Sequence, residues 1–344
     1  MKIAFFDSKS YDERIFKIHN EKHHFELTFF QERLTEQTAI LAKGFDVVCI
    51  FVADDASESV IEQLHSFGVK LIALRCAGYN NVNFEVAQDK LQVVHVPAYS
   101  PHSVAEFTIL MILTLVRKIH KAYNRTRDLN FALNGLLGFD LCNRTVGLIG
   151  TGRIARVFIE ILKGFQCKVI AYDLFPDHEY AKKVGLDYVS QEEIFTNSDI
   201  ISLHCPLTRD NHYLINRNTL KMMKDNVIIV NTGRGKLINT LDLIDALKTG
   251  KVGGAALDVY EEENEYFYED FSLRGIGDDV LSRLIMFPNV LVTSHQAYFT
   301  EDALGNIATT TLENIQQFVD KKTLTNELAY VSGDTGWGVK RIND

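Results

Sequence analysis

Gly150-Thr151-Gly152-Arg153-Ile154-Ala155 follows a short apolar run, Val146-Gly147-Leu148-Ile149, and opens a stretch in which Ile154, Val157, Phe158, Ile161 and Leu162 recur at helical spacing. The first glycine suits a tight turn and the second lets backbone approach a pyrophosphate. The small third residue, Ala155 here, lets helix pack on strand. A second apolar run, Lys168-Val169-Ile170-Ala171-Tyr172, ends on Asp173, 21 positions after Gly152. Strand, glycine turn, helix, strand and acid in that order describe a dinucleotide-binding unit. Phosphate would sit at the helix N-terminus, and the Asp173 carboxylate would accept from the adenosine ribose hydroxyls. An acid there repels a 2′-phosphate, and Leu174, Phe175 and Pro176 bring no cation to welcome one, so NAD is expected rather than NADP.

Outward from this unit, bulk properties narrow the class. A chain of 344 residues exceeds what one core usually serves, so two domains are expected. Hydrophobic residues at 46% and charged residues at 24% describe an ordinary soluble globular protein. A net charge of −9 without a Lys/Arg cluster argues against a nucleic-acid partner. The longest apolar run, Phe107 to Val116, is about half of the ~20 residues a bilayer helix needs; it reads as a buried core helix, and no membrane partner is expected. Cys49, Cys76, Cys142, Cys167 and Cys205 are odd in number and scattered, which suits reduced thiols and neither disulfides nor a metal site. Because Met1 to Asp7 reads at once as a strand and not as a secretory leader, a cytoplasmic location is expected.

The N-terminal part alternates strand-like and helix-like pieces, at Lys2–Asp7, Phe45–Val52, Ser57–Phe67, Lys70–Arg75 and Val93–Pro97. This is an α/β layout with a parallel sheet covered on both faces, and it forms a separate domain ahead of the glycine turn. A long helix is expected from about Ser100, with Pro101 in its first turn and apolar residues from Val104 through Ile119, ending in a basic polar segment, Lys118 to Asp128. After the glycine turn, strands are expected at Ile200–His204, Val227–Asn231, Val252–Val259 and Val290–Ser294. Val331 to Asp344, with the only tryptophan, Trp337, reads either as a flexible tail or as a subunit-contact arm.

Ligands of open parallel sheets gather at the carboxyl ends of the strands. There the sequence places His204-Cys205-Pro206, then Thr232-Gly233-Arg234, then Asp258-Val259-Tyr260 with an acidic run, then Ser294-His295. An arginine, an acid and a histidine on the nicotinamide edge are what reduction of a 2-oxo acid requires. Arg234 can clamp a carboxylate with its planar fork, and protonated His295 can give its proton to the ketone oxygen as hydride arrives. A glutamate beside His295 would hold its tautomer and favour the imidazolium. Singly, Arg234 could be a structural arginine, His295 a core histidine and 261–265 a solvated loop; placement after successive strands of one dinucleotide-binding sheet favours the joint role.

With these residues in hand, the chain resembles the D-isomer-specific 2-hydroxyacid dehydrogenases over about Met1 to Leu328, and among them the bacterial lactate-forming enzymes most. The resemblance is carried by Leu74-Arg75-Cys76-Ala77-Gly78-Tyr79-Asn80-Asn81, Val96-Pro97-Ala98-Tyr99-Ser100-Pro101, the glycine turn, Val230-Asn231-Thr232-Gly233-Arg234-Gly235, Leu257 to Glu263 and Ser294-His295-Gln296-Ala297. It departs at Ala155, where glycine is usual, and at Asn83, where aspartate is common.

The resemblance implies two doubly wound parallel-sheet domains. A Rossmann-type NAD domain, 101–296, would be inserted in a flavodoxin-like substrate domain made of 1–100 and 297–344. It implies Arg234 as substrate clamp, His295 as proton donor and acceptor, and Glu263 as the partner of that histidine, chosen among neighbouring acids by the family pattern and not by spacing. For the cofactor it implies Gly150, Gly152, Arg153 and Ile154 at the pyrophosphate, Asp173 at the ribose, and Cys205, Pro206 and Asn211 on the adenosine side. Thr232, Gly233, Arg234 and Asp258 would lie near the nicotinamide, Asp258 toward its carboxamide. For the substrate it implies Arg75, the N–H groups of Ala77 and Gly78, and Tyr99, with Phe51 and Phe299 shaping the side-chain pocket. The implied reaction is reversible reduction of pyruvate to D-lactate with NADH by a homodimer or homotetramer. A broader D-2-hydroxyacid dehydrogenase acting on larger 2-oxo acids is the alternative, and an NAD-sensing corepressor-like binding protein a more distant one.

Overall fold

The computed structural model describes residues 1–330 and 339–341, so Trp337 and most of the expected tail lie outside the described residues. The chain divides into two units, the first made of Met1–Ser100 with the described residues from Phe299 onward, the second of Pro101–Tyr298. The return to the first unit falls at 299, where 297 was expected.

In the first unit β1 (Lys2–Phe5), β2 (Glu26–Phe29), β3 (Val47–Ile50), β4 (Leu71–Leu74) and β5 (Gln92–Val94) form a parallel sheet in the order β2-β1-β3-β4-β5. Every residue of β3 and β4 is buried, as the unbroken apolar runs require of strands covered on both faces. β2 has no such run. Its four residues are exposed or half-buried, which is why pattern alone does not reveal it.

The second unit contains β6 (Thr145–Ile149), β7 (Lys168–Tyr172), β8 (Asp187–Tyr188), β9 (Ile200–Leu203), β10 (Val227–Asn231), β11 (Val252–Leu257) and β12 (Val290–Val292). All pair in parallel, in the order β12-β11-β10-β9-β6-β7-β8. Successive residues of a strand face opposite sides, and the cores divide accordingly. Ile149, Ile201, Leu203, Ile229 and Leu257 pack on one side, and Val146, Leu148, Ile200, Ile228 and Val230 on the other. The helix Arg153–Gly164 buries Ala155, Phe158, Ile159 and Leu162, with Ile154, Val157 and Ile161 half-buried against the same cluster. The long helix runs from Pro101 to Arg117, and Lys118, at φ +52, breaks it. The basic polar segment expected at the end of the long helix forms a separate helix, Ile119–Arg127. Finally, β13 (Leu328–Tyr330) and β14 (Val339–Arg341) form an antiparallel pair.

Candidate active site

Strand order in the second unit reverses between β6 and β9, and the glycine turn leaves β6 at that seam. Gly150 has φ +97, and a Cβ on it would lie 2.7 Å from the His204 carbonyl and the Cys205 nitrogen, so only glycine fits. A Cβ on Gly152 would meet nothing within 4 Å, so the cradle before the helix is open. With unsatisfied N–H groups at the start of helix 153–164, these residues fit a dinucleotide pyrophosphate. Arg153 is exposed and Ile154 half-buried on the first turn.

At the end of β7, Asp173 Oδ2 accepts from the Thr151 N–H at 2.6 Å and its hydroxyl at 2.7 Å, and Oδ1 accepts from the Phe175 N–H at 2.9 Å. Burial raises the affinity of this carboxyl for its proton, but those bonds outweigh it and hold Asp173 below the usual carboxylate range, ionised at neutral pH. After β9, Asn211 ties the loop expected on the adenosine side together: its amide nitrogen donates to the Pro206 carbonyl at 2.7 Å and reaches Cys205 Sγ at 3.7 Å, while its oxygen accepts from the Thr208 N–H at 2.7 Å. Behind the loop, His204 Nε2 lies 2.9 Å from Ser202 Oγ and its ring packs on Phe158. Although the residue as a whole is only partly covered, burial of the imidazole pushes it down to about 4.

Three adjacent strands then deliver Arg234, Glu263 and His295. Beyond β10, the buried Asn231 side chain donates to the Arg234 carbonyl at 2.9 Å and accepts from the Gly233 N–H at 3.0 Å, folding the loop back on the strand end. Arg234 Nη1 donates to the Gly233 carbonyl at 2.8 Å, and the Thr232 hydroxyl lies 3.1 Å from that of Thr108. A Cβ on Gly235 would fall 2.0 Å from the Tyr260 carbonyl oxygen, so the loops after β10 and β11 touch backbone to backbone. The Tyr260 N–H in turn donates to Glu263 Oε2 at 2.9 Å, and Glu263 Oε1 meets His295 Nδ1 at 2.7 Å. With Nδ1 engaged by Glu263, Nε2 is the remaining nitrogen of the ring.

His295 itself holds a left-handed backbone, φ +52, that a non-glycine residue adopts only when its surroundings impose it. Its N–H donates to the Asp258 carbonyl at 2.7 Å, and its carbonyl accepts from the Tyr268 hydroxyl at 3.2 Å. The fully buried Asp258 carboxylate accepts from the Thr293 hydroxyl at 2.5 Å and from the N–H groups of Gln296 at 2.9 Å and Ala297 at 2.8 Å. Burial pushes this carboxyl up, against the pull of those bonds. The carboxylate expected beside the nicotinamide is thus committed to the loop that carries His295. Asn231 and Tyr268 were absent from the sequence-based site, since a side chain that holds a loop leaves no mark in spacing.

In the first unit the N–H groups of Ala77 and Gly78, just beyond β4, meet no acceptor among the described residues. The Ala77 carbonyl faces His95 Nδ1 at 3.2 Å, and that of Tyr99 accepts from Asn306 at 2.7 Å. Phe299 meets Tyr11 edge-on at 4.7 Å between ring centroids. Arg75, implied as a substrate ligand, follows directly on β4. It is 2% exposed, with Nη2 donating to the Asp7 carbonyl at 2.8 Å, Nε 3.7 Å from Asp12 and its face over the Phe51 ring at 5.0 Å. Its Nη1 is buried and meets no hydrogen-bond partner among the described residues.

Comparison with known proteins gives a consistent set of relatives. Residues 109–297 match the family described as D-isomer specific 2-hydroxyacid dehydrogenase, NAD binding domain. The chain is 49% identical over 329 residues to the D-lactate dehydrogenase of Escherichia coli (strain K12), covering 95% of this chain and 100% of that one. Its structure is similar to the apo-structure of the D-lactate dehydrogenase from Escherichia coli, with TM-score 0.87 at 47% identity over 95% of this chain and 99% of that chain. It is also similar to a structure described as the pyruvate reductase of Chlamydomonas reinhardtii, with TM-score 0.90 at 40% identity over 95% and 98%.

Proposed function

This chain belongs to the D-isomer-specific 2-hydroxyacid dehydrogenases, and on that footing we propose that it reduces pyruvate to D-lactate with NADH and catalyses the reverse oxidation. The observation that carries the reading is the 2.7 Å contact between His295 Nδ1 and Glu263, on loops next to the one that holds Arg234. The names of the Escherichia coli and Chlamydomonas reinhardtii relatives support pyruvate and D-lactate as the pair.

Bound NADH supplies the hydride. Arg234 clamps the substrate carboxylate through paired N–H donors, which fixes the orientation of the carbonyl as well as its position. His295 gives the proton on Nε2 to the ketone oxygen and takes it back from the hydroxyl in the reverse direction. Glu263 accepts from Nδ1 and balances the imidazolium. Ala77, Gly78 and Tyr99 are proposed contacts of the substrate carboxylate, and Phe51 and Phe299 of its side chain.

Two aromatic contacts suit a small substituent, yet one methylene discriminates by only about 1–3 kcal/mol. Ranking kcat/KM for pyruvate, 2-oxoisocaproate and phenylpyruvate tests the substrate. Pyruvate first supports the reading, and either larger acid first would replace it with a broader 2-hydroxyacid dehydrogenase.

Assembly belongs to the same proposal. Tyr123, Leu129, Phe131, Leu133 and Leu137 stand exposed on and just after helix 119–127, an apolar row of the kind that oligomers cover. We read it as a self-association surface. Replacing Phe131 and Leu133 with Asp should give a monomer by light scattering, and an unchanged mass would remove this surface from the reading. No helix among the described residues is long and apolar enough to cross a membrane, and the five cysteines are free.

A further inference from the structure

The Asp173 turn contains a second carboxylate, Asp177, which pairs with a cation from helix 153–164. Arg156, one turn into helix 153–164, donates through Nε to the Thr151 carbonyl at 3.2 Å and pairs through Nη2 with Asp177 Oδ2 at 2.7 Å. Its guanidinium carbon lies 4.3 Å from the centre of the Tyr180 ring. Asp177 is itself fixed as the N-cap of helix 178–184, where Oδ1 accepts from the Tyr180 N–H at 3.0 Å. Its own N–H donates to the Tyr188 hydroxyl at 3.2 Å, and that hydroxyl lies 2.8 Å from the one on Thr151 that binds Asp173. The contacts close a ring from Thr151 through Tyr188, Asp177 and Arg156 back to Thr151, with Asp173 attached at Thr151.

An arginine beside this turn is the group that would accommodate a 2′-phosphate. Here its ionic partner is already supplied, its face is stacked and its Nε is bonded to backbone. We propose that Asp177 is a second determinant of cofactor choice: by pairing with Arg156 it keeps that cation from compensating a 2′-phosphate, so a phosphorylated ribose meets the repulsion of Asp173 alone. The proposal rests on the reading of the Asp173 turn as the ribose site.

Asn is as good an N-cap as Asp, so Asp177→Asn removes charge while keeping the helix start. The experiment measures Kd for NADH and NADPH by nicotinamide fluorescence without substrate, alongside kcat/KM, in the wild type, Asp173→Asn, Asp173→Asn/Asp177→Asn, and the latter with Arg156→Gln. Asp173→Asn should narrow the preference for NADH. Adding Asp177→Asn should tighten NADPH binding by roughly tenfold more, the scale of one charged hydrogen bond, with NADH changed by less than about threefold. Arg156→Gln should cancel that second gain. A double variant equal to Asp173→Asn, or a gain that survives Arg156→Gln, would overturn the role of Asp177 while leaving the ribose site standing. An unchanged preference in Asp173→Asn would instead remove the ribose reading and this proposal with it.

Discussion

His295 needs a defined tautomer and a defined direction, and separate contacts provide them. The Glu263 bond sets the tautomer, and the backbone bonds to Asp258 and Tyr268 hold the residue at φ +52. Replacing His295 by Gln keeps a polar side chain of similar reach but removes the exchangeable proton. The proposal therefore expects kcat to fall by about 10²–10⁴-fold with NADH affinity, read by fluorescence, unchanged; near-normal kcat would disqualify the residue as proton donor. Arg234→Lys exchanges a fork for a point charge, so pyruvate KM should rise by at least about tenfold while NADH Kd moves less than about twofold. Equal losses in both would contradict a clamp. The sequence was informative about which residue types stand at strand ends, but it could not separate Glu263 from its neighbours without the family pattern. The structure separates them by partner: Glu261 accepts from the Thr240 N–H at 2.6 Å and the Tyr213 hydroxyl at 2.7 Å, and Glu262 lies 3.5 Å from Lys236.

The loops after β10, β11 and β12 act together because they touch. Gly235 is the contact that spacing made visible only as part of a motif, and its physical reason is the Tyr260 carbonyl 2.0 Å from where a Cβ would stand. Gly235→Ala must push that backbone away and carry Glu263 with it through the Tyr260 N–H. We expect a stability loss of about 1–3 kcal/mol by urea denaturation together with a fall in kcat, and a fully active, equally stable variant would show that the two loops are independent. Strands with unbroken apolar runs were legible to within a residue or two, β7 and β10 at their full observed lengths. β8, two residues with one exposed, and the break at Lys118 were not, because one lacks a pattern and the other is a single backbone angle inside an apolar-to-basic transition. The Asp258 bonds to Thr293, Gln296 and Ala297 span 35 to 39 residues, beyond any local signal.

At the scale of the molecule, His204 gives the fold a pH dependence with a definite sign. Its folded value of about 4 lies below the ordinary 6.5, so between these values the unfolded chain binds the extra proton. Stability on this account is complete above pH 6.5 and is lost as pH falls toward about 4. His204→Gln should reduce the stability difference between pH 7 and pH 4 by on the order of 1–3 kcal/mol, measured by urea denaturation, and an identical pH slope would refute the burial argument. In the proposed function the molecule holds NADH on one seam of a parallel sheet and moves a proton at the ends of three neighbouring strands. The decisive measurement follows NADH absorbance with pyruvate and then oxidises the product with stereospecific D- and L-lactate assays. Loss of absorbance with D-lactate as the sole product is expected; L-lactate, or no turnover of pyruvate by folded protein that binds NADH, would overturn the proposed function.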